Sequence, residues 1–291
     1  MTAMPVSGKT TVCGVIGDPI EHTMSPAMHN AAFSALDLDF VYVAFRVAAG
    51  ELGRAIAGMK ALEIKGLSVT IPHKVAVIPS MDRIDPLAEK IGAVNTIVNE
   101  GGALTGYNTD AMGFLRALIE HGTEPRGKKV LLLGAGGAAH AISYILTEEG
   151  AHLVILNRKE EFSWAQDLAA RLGRSYEIPV GVGELNRGAI EQAIGDSDIL
   201  VNATSVGMSP NAGQSPVPAD LLCSGLLVFD AVYNPFETRL LREAKEAGAE
   251  TIDGLEMLVW QGALAFEKFT GHEAPVDVMR AAALKVLRRE K

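Results

Sequence analysis

The stretch Val130-Leu131-Leu132-Leu133-Gly134-Ala135-Gly136-Gly137-Ala138-Ala139 decides the fold. Four aliphatic residues make a short buried strand, a glycine turn follows, and small residues open a helix. The pattern is G-x-G-x-x-A, the fingerprint of a dinucleotide-binding βαβ unit, with Ala139 in the third small position. Gly134 permits the tight turn, Gly136 lets the backbone approach a pyrophosphate, and Ala139 lets helix and strand pack closely. The pyrophosphate would sit at the helix N-terminus, where unpaired N–H groups and the helix dipole favour an anion. Gly134, Ala135, Gly136, Gly137 and Ala138 are therefore candidate cofactor contacts. Taken alone the motif has low specificity, because any glycine-rich turn in an α/β domain can match it.

The residues downstream support it. Strand 130–133, helix 137–149, strand 152–157, helix 163–172, strand 178–182 and helix 188–194 alternate in order. Strands 199–202 and 226–232, helix 238–247 and strand 250–252 continue the series. That alternation predicts a doubly wound parallel sheet. The proline-bearing segment 209–218 reads as a surface loop, and 123–127 as a boundary loop.

Upstream, Val12, Cys13, Val15 and Ile16 form a buried strand that stops at Gly17-Asp18-Pro19. A helix is expected from Ser25-Pro26, with the serine as N-cap and the proline at the first helical position. A strand over 39–45, a helix over 50–62 and a strand over 66–71 follow. Segments 93–99 and 104–107 read as a further strand or hairpin turning at Gly101-Gly102. A helix starts near Thr109-Asp110 and ends before Gly122. Two apolar helices, 254–270 and 275–289, come after the sheet is complete and are expected to fold back on the first domain.

Composition narrows the function. The 291 residues suffice for two domains, and 48% hydrophobic with 21% charged residues is a globular composition. Lys and Arg number 26 against 35 Asp and Glu, a net charge of −9 that argues against nucleic acid as a partner. Cys13 and Cys223 lie far apart with no C-x-x-C, which reads as a reduced cytosolic protein. Residues 1–11 lack signal-peptide character, and no apolar run reaches the ~18–20 residues of a membrane helix. The seven histidines form no metal-ligand spacing, so no metal is expected. His73 and His140 read as structural or solvent-facing. No Gly-x-Ser-x-Gly and no P-loop Lys-Ser/Thr occurs.

Two positions invite chemistry. Arg158, in Asn157-Arg158, follows Gly134 at close to the ~20-residue spacing at which a dinucleotide fold meets the adenosine ribose. An acidic residue there suits NAD, whereas an arginine suits the 2′-phosphate of NADP. A solvent-exposed loop arginine is the plain reading, and Glu160 and Glu161 would repel a phosphate if they faced it. Lys74, in Ser68-Val69-Thr70-Ile71-Pro72-His73-Lys74, stands just past a strand's carboxyl end, where open α/β sheets collect ligands. Lysine there can act as general acid/base or polarise a carbonyl. A surface lysine is the commoner fate, but Asp110 sits at another strand-to-helix junction. It could hold Lys74 or merely cap its own helix.

In order, these motifs resemble the shikimate dehydrogenase family over residues 15–271. Thr23-x-Ser25-Pro26 resembles its S-x-S-P segment, with Thr23 in place of serine. Residues 68–74 resemble its N-V-T-x-P-F-K, with Ser68 for Asn, His73 for Phe and Lys74 in the catalytic position. Gly92-Ala93-Val94-Asn95-Thr96 and Gly106-Tyr107-Asn108-Thr109-Asp110 match two more motifs. Asn157-Arg158-Lys159 is similar to its N-R-T, while the following Glu160-Glu161-Phe162 is closer to quinate/shikimate dehydrogenases that can use NAD. Asn202-Ala203-Thr204-Ser205, then Asp230-x-Val232-Tyr233-Asn234-Pro235, then Asp253-Gly254-x-x-Met257-Leu258-Val259-x-Gln261 complete the series. Phe269-Thr270-Gly271 stands where W-T-G is usual.

The resemblance implies reversible, NADP-dependent hydride transfer between shikimate and 3-dehydroshikimate, on the route to chorismate and aromatic amino acids. It implies Lys74 and Asp110 as the catalytic pair, and Thr23, Ser25, Thr70, Asn95, Tyr233 and Gln261 as substrate contacts. Asn157, Arg158, Lys159, Thr204, Val232 and Gly254 join the glycine turn as cofactor contacts. The implied substrate domain is 1–109 plus 254–291, the NADP domain is 110–253, and the active site lies in a cleft between them. A homodimer is compatible with the sequence. The alternatives are a quinate/shikimate dehydrogenase using NAD and a non-catalytic ligand sensor on the same fold.

Overall fold

Buried Cys13, Val15 and Ile16 place β1 (Thr11–Gly17) inside the first sheet. In the computed structural model, which describes residues 6–288, the chain forms two units. They are Met1–Gly113 with Val259–Lys291, and Phe114–Leu258. The first five residues of the leader reading, and Arg289, lie outside the described residues.

In the first unit β1 is followed by α1 (Ser25–Ala35), β2 (Phe40–Arg46), α2 (Leu52–Ala61) and β3 (Gly66–Val69). Then come α3 (His73–Ala76), β4 (Arg83–Ile84), α4 (Pro86–Ile91), β5 (Thr96–Glu100), β6 (Ala103–Tyr107) and α5 (Thr109–Glu120). The sheet order is β2-β1-β3-β5-β6-β4. β2 and β3 both pair parallel to β1, one on each side, so the winding reverses between β1 and β3. β5 and β6 form an antiparallel hairpin, turned by Gly101 and Gly102 at φ 63° and 92°. Ser68 pairs with Thr96, and Thr96 with Tyr107. The carboxyl ends of β3 and β6 and the start of β5 therefore share one edge of the sheet.

Alternation along β3 sends neighbouring residues to opposite faces. Leu67 packs with Ile16, Ile97 and the α2 residues Leu52, Ile56 and Met59. Gly66 faces the other way, and a Cβ there would lie 2.1 Å from Phe269 Cδ1. Phe269 thus fills the groove over Gly66, its ring near those of Tyr42 and His29.

The second unit runs β7 (Lys129–Leu133), α6 (Gly137–Glu148), β8 (His152–Asn157), α7 (Phe162–Tyr176), β9 (Gly181–Glu184) and α8 (Arg187–Ile194). β10 (Ile199–Asn202), β11 (Leu227–Asp230), α9 (Arg239–Glu246) and β12 (Glu250–Ile252) complete it. All pairs are parallel in the order β12-β11-β10-β7-β8-β9. Numbered within the unit, this is the 3-2-1-4-5-6 dinucleotide-binding order, and its switch point lies between β7 and β10. Helix α10 (Gly254–Thr270) begins in this unit and ends in the first, where α11 (Val276–Leu287) packs on α1.

Some expectations are corrected. Ser25 is the first helical residue rather than the cap; Met24 is the N-cap, and Thr23 Oγ1 accepts the Ser25 N–H at 3.3 Å. The strand expected over 178–182 is displaced to Gly181–Glu184, and the helix expected over 163–172 extends to Tyr176. The short elements α3, β4 and α4 carry too little periodicity to be read. Segment 209–218 has no strand or helix, yet Val217 is buried in the second unit's core. No described helix is long and apolar enough to cross a membrane.

Candidate active site

Lys74 reaches the shared edge of the first sheet because β3 ends at Val69 and α3 begins at His73. Its backbone is fixed there: the Lys74 carbonyl accepts from Val94 N–H at 2.8 Å. His73, nearly inaccessible, bonds through Nε2 to the Val47 carbonyl at 2.7 Å and anchors the turn, a structural role. Lys74 Nζ donates to Asp110 Oδ2 at 2.7 Å, with the two side chains 23% and 11% exposed. Asp110 lies in the first turn of α5, where the helix dipole favours a carboxylate.

Asp110 does not cap its own helix. Asn108 Oδ1 takes the Ala111 N–H at 3.2 Å, and Asn108 Nδ2 donates to the Ala93 carbonyl at 3.0 Å. Asn95 is buried beside them; its Oδ1 accepts from Thr109 N–H at 2.7 Å, and its Nδ2 donates to Thr109 Oγ1 at 3.0 Å. Thr109, which sequence reading passed over, thus holds Asn95 against the start of α5. The run Asn108-Thr109-Asp110 at a strand-to-helix junction was its only signal.

Thr23 and Ser25 sit past the end of β1, with Thr23 Oγ1 donating to Ser25 Oγ at 3.2 Å. Thr70 follows β3, and its Cγ2 would lie 2.4 Å from a Cβ on Gly17, so the two loops touch. Gln261 is on α10 where that helix crosses α5: a Cβ on Gly113 would be 2.7 Å from Gln261 N. Thr23, Ser25, Thr70, Lys74, Asn95, Asp110 and Gln261 all belong to the first unit, while Tyr233 follows β11 in the second.

In the second unit the glycine turn behaves as its small residues require. Gly134 has φ 105°, and a Cβ there would press the Ala203 carbonyl oxygen and Thr204 Cγ2, each at 3.1 Å. Gly136 is the N-cap of α6 and has no side chain of its own to bond the helix's N-terminal amides. A Cβ on Gly136 or Gly137 would meet no atom within 4 Å beyond its own stretch of chain, so this backbone is open to an anion. Ala139 is fully buried at the helix–sheet contact.

At the end of β8, Arg158 is mostly exposed and ion-paired with Glu161, while Asn157 Nδ2 donates to the Glu161 carbonyl at 2.7 Å. The pair raises the arginine's pKa and lowers the glutamate's. Glu161 therefore competes for the guanidinium, and Lys159 opens the 3-10 turn beside it. His140 lies against Arg171, at 3.1 Å from Nδ1.

The neighbouring loops are tied by a network centred on the buried Asn202 and Asp230. Asn202 Oδ1 takes Thr204 N–H at 3.1 Å and Thr204 Oγ1 at 2.7 Å, and Asn202 Nδ2 donates to Asp230 Oδ1 at 2.9 Å. Asp230 also accepts from Val232 N–H at 3.1 Å and Thr238 Oγ1 at 2.6 Å. Burial pushes its carboxyl up to about 6, against the opposing pull of these donors. Gly254 closes the set: a Cβ there would lie 2.5 Å from the Ala231 carbonyl oxygen.

A sheet of the dinucleotide-binding order in one unit and a Lys–Asp pair amid hydroxyls in the other are the parts of a dinucleotide-dependent oxidoreductase. A model of the shikimate dehydrogenase substrate binding domain matches residues 15–97, and one of the shikimate 5'-dehydrogenase C-terminal domain matches residues 254–284. A "Shikimate dehydrogenase (NADP(+))" of Dehalococcoides mccartyi (strain CBDB1) is 49% identical over 93% of this chain and 94% of its own. A crystal structure of shikimate dehydrogenase with NADP+ superposes with TM-score 0.92 at 42% identity, covering 97% of both chains. That of shikimate 5-dehydrogenase from Listeria monocytogenes with shikimate and NAD gives 0.90 at 41%, covering 95% of this chain and 97% of that one. The chain belongs to the shikimate dehydrogenase family.

Proposed function

We propose that this chain reversibly reduces 3-dehydroshikimate to shikimate with NADPH, a step toward chorismate and the aromatic amino acids. The first unit binds the substrate and the second binds NADP. The observation that carries this reading is the 2.7 Å Lys74–Asp110 contact at the sheet edge shared with Asn95. Thr23 and Ser25 donate hydroxyl hydrogen bonds to the substrate carboxylate. Thr70, Asn95, Tyr233 and Gln261 supply neutral donors and acceptors for the ring hydroxyls. Bound NADPH supplies the hydride. The Lys74 ammonium polarises the C3 carbonyl and gives its proton to that oxygen; in the reverse direction its amine takes the proton back. Asp110 orients Lys74 and contacts a ring hydroxyl. Asn157, Arg158 and Lys159 take the adenosine 2′-phosphate, the glycine turn takes the pyrophosphate, and Thr204, Val232 and Gly254 line the remaining cofactor path.

A second reading, quinate/shikimate dehydrogenase with NAD, draws on Glu161 holding Arg158. Steady-state rates for shikimate and quinate, each with NADP+ and NAD+, separate them. The first reading requires shikimate with NADP+ to have the highest kcat/KM of the four. Binding without turnover in any pair would indicate a sensor.

A further inference from the structure

Asn202 and Asp230 are the last residues of β10 and β11, and they face each other as the final rung of that parallel ladder. Both are fully buried. Beyond them one chain leaves the sheet toward Thr204 and the other toward Val232 and Tyr233. Each side chain turns back on its own loop in the same way. Asn202 Oδ1 accepts the Thr204 N–H, and Asp230 Oδ1 accepts the Val232 N–H, each two residues on and at 3.1 Å. Such turns set the direction in which a chain leaves its strand. The bond from Asn202 Nδ2 to Asp230 Oδ1, at 2.9 Å, locks the two turns together.

The two carboxylate oxygens of Asp230 do different work. Oδ1 carries both loops, through Asn202 and Val232. Oδ2 accepts only from Thr238 Oγ1, which caps α9 by taking the Leu241 N–H at 3.3 Å. An amide at this position can keep its oxygen on the loops and turn its NH2 toward the Thr238 hydroxyl, which still has a lone pair to accept it. Alanine can hold neither loop, and leaves buried donors unpaired. Gly254 packs on the same turn, since a Cβ there would lie 2.5 Å from the Ala231 carbonyl oxygen and 2.7 Å from the Val232 carbonyl carbon. The contacts at the end of β8 are held by separate bonds, Asn157 to the Glu161 carbonyl among them.

We propose that Asp230 is a positioning residue for the nicotinamide end of the cofactor, its Oδ1 holding the Thr204 and Val232 loops in their binding arrangement before the cofactor arrives. The inference rests on the reading of Thr204, Val232 and Gly254 as the cofactor path beyond the pyrophosphate. Preformed loops spare the cofactor the cost of ordering them. Loosened loops weaken binding in proportion to the time they spend misformed. The loss falls on the part of the cofactor these loops touch, and the 2′-phosphate end is spared.

The test is calorimetric binding of NADP+ and of 2′-phospho-ADP-ribose, which lacks the nicotinamide, to wild type, Asp230→Ala and Asp230→Asn. In Asp230→Ala the Kd for NADP+ should rise about tenfold, the effect of loops formed about a tenth of the time. The Kd for 2′-phospho-ADP-ribose should change less than about twofold. Asp230→Asn should bind NADP+ within about threefold of wild type, because its amide oxygen keeps both loops. Hydrogen exchange of the cofactor-free wild type gives an independent reading. The Thr204 and Val232 amides should exchange at least about a hundredfold slower than in an unstructured peptide. Unchanged NADP+ binding in Asp230→Ala, equal losses for the two ligands, or Asp230→Asn as weak as Asp230→Ala would each overturn the proposal. So would unprotected Thr204 and Val232 amides, and that exchange decides the matter if Asp230→Ala does not fold. Wild-type protein that binds neither ligand would instead overturn the functional reading.

Discussion

Arg158 is ion-paired with Glu161 at the carboxyl end of β8, the place from which a 2′-phosphate would be read. The pair is exposed, and exposed pairs contribute little. A phosphate offers the guanidinium a stronger charge-assisted contact, so a 2′-phosphate bound there would displace Glu161. Glu161→Gln should lower the KM for NADP+ about threefold, while Arg158→Ala should raise it about tenfold or more. In both variants the KM for NAD+ should move less than about twofold. Equal shifts for the two cofactors would remove Arg158 from phosphate recognition.

Gly134 and Gly136 should separate folding from binding. Gly134→Ala forces a side chain onto φ 105° and against the Ala203 carbonyl oxygen at 3.1 Å, costing about 1–3 kcal/mol. Its Tm should fall. At Gly136 φ is −82° and an added Cβ would meet no atom within 4 Å beyond its own stretch of chain. Gly136→Ala should therefore keep the wild-type Tm and weaken NADP+ binding, because the methyl enters the pyrophosphate's space. Thermal melts with and without NADP+ check both.

Asp230 should make stability fall as pH rises through mild acid. Its ordinary carboxyl pKa of 3.8 is raised to about 6 by burial, so below that value the folded state holds a proton that the unfolded state releases. Between pH 3.8 and about 6 the folded chain binds more protons, and unfolding becomes easier with rising pH. The full shift is worth about 3 kcal/mol. His29, lowered to about 3, works in the opposite sense, losing stability as pH falls below its ordinary 6.5. The difference between wild type and Asp230→Asn isolates the carboxyl. Denaturant melts at pH 4, 5, 6 and 7 should show wild type losing ground to the variant as pH rises; a constant difference contradicts the assignment.

Much of the fold was legible because it is written in local periodicity. β8, β10, β12 and α10 fall on the residues read from apolar runs and glycine punctuation, and the parallel sheet follows from their alternation. β9 was misplaced because Gly181-Val182-Gly183-Glu184 carries no apolar face of its own. A Cβ on Gly181 or Gly183 would press Val154 or Leu156 of β8, at 3.1 and 2.9 Å, so the partner strand decides where it pairs. Within the site, Lys74 and Asp110 stood out as residue types at strand ends, and their 2.7 Å contact follows from β3, β5 and β6 sharing an edge. The ties from Tyr42 to Ser68, Asn95 to Thr109 and Asn202 to Asp230 join residues remote in sequence, and no local pattern announces them.

The central claim is that Lys74, held by Asp110, moves the proton while other residues hold the substrate. The direct measurement is Lys74→Ala, followed by steady-state oxidation of shikimate with NADP+ and by calorimetric binding of shikimate. General acid/base groups typically contribute about 10²–10⁴-fold, so kcat should fall by that order while the Kd for shikimate changes less than about threefold. A variant with near-normal kcat would contradict the account.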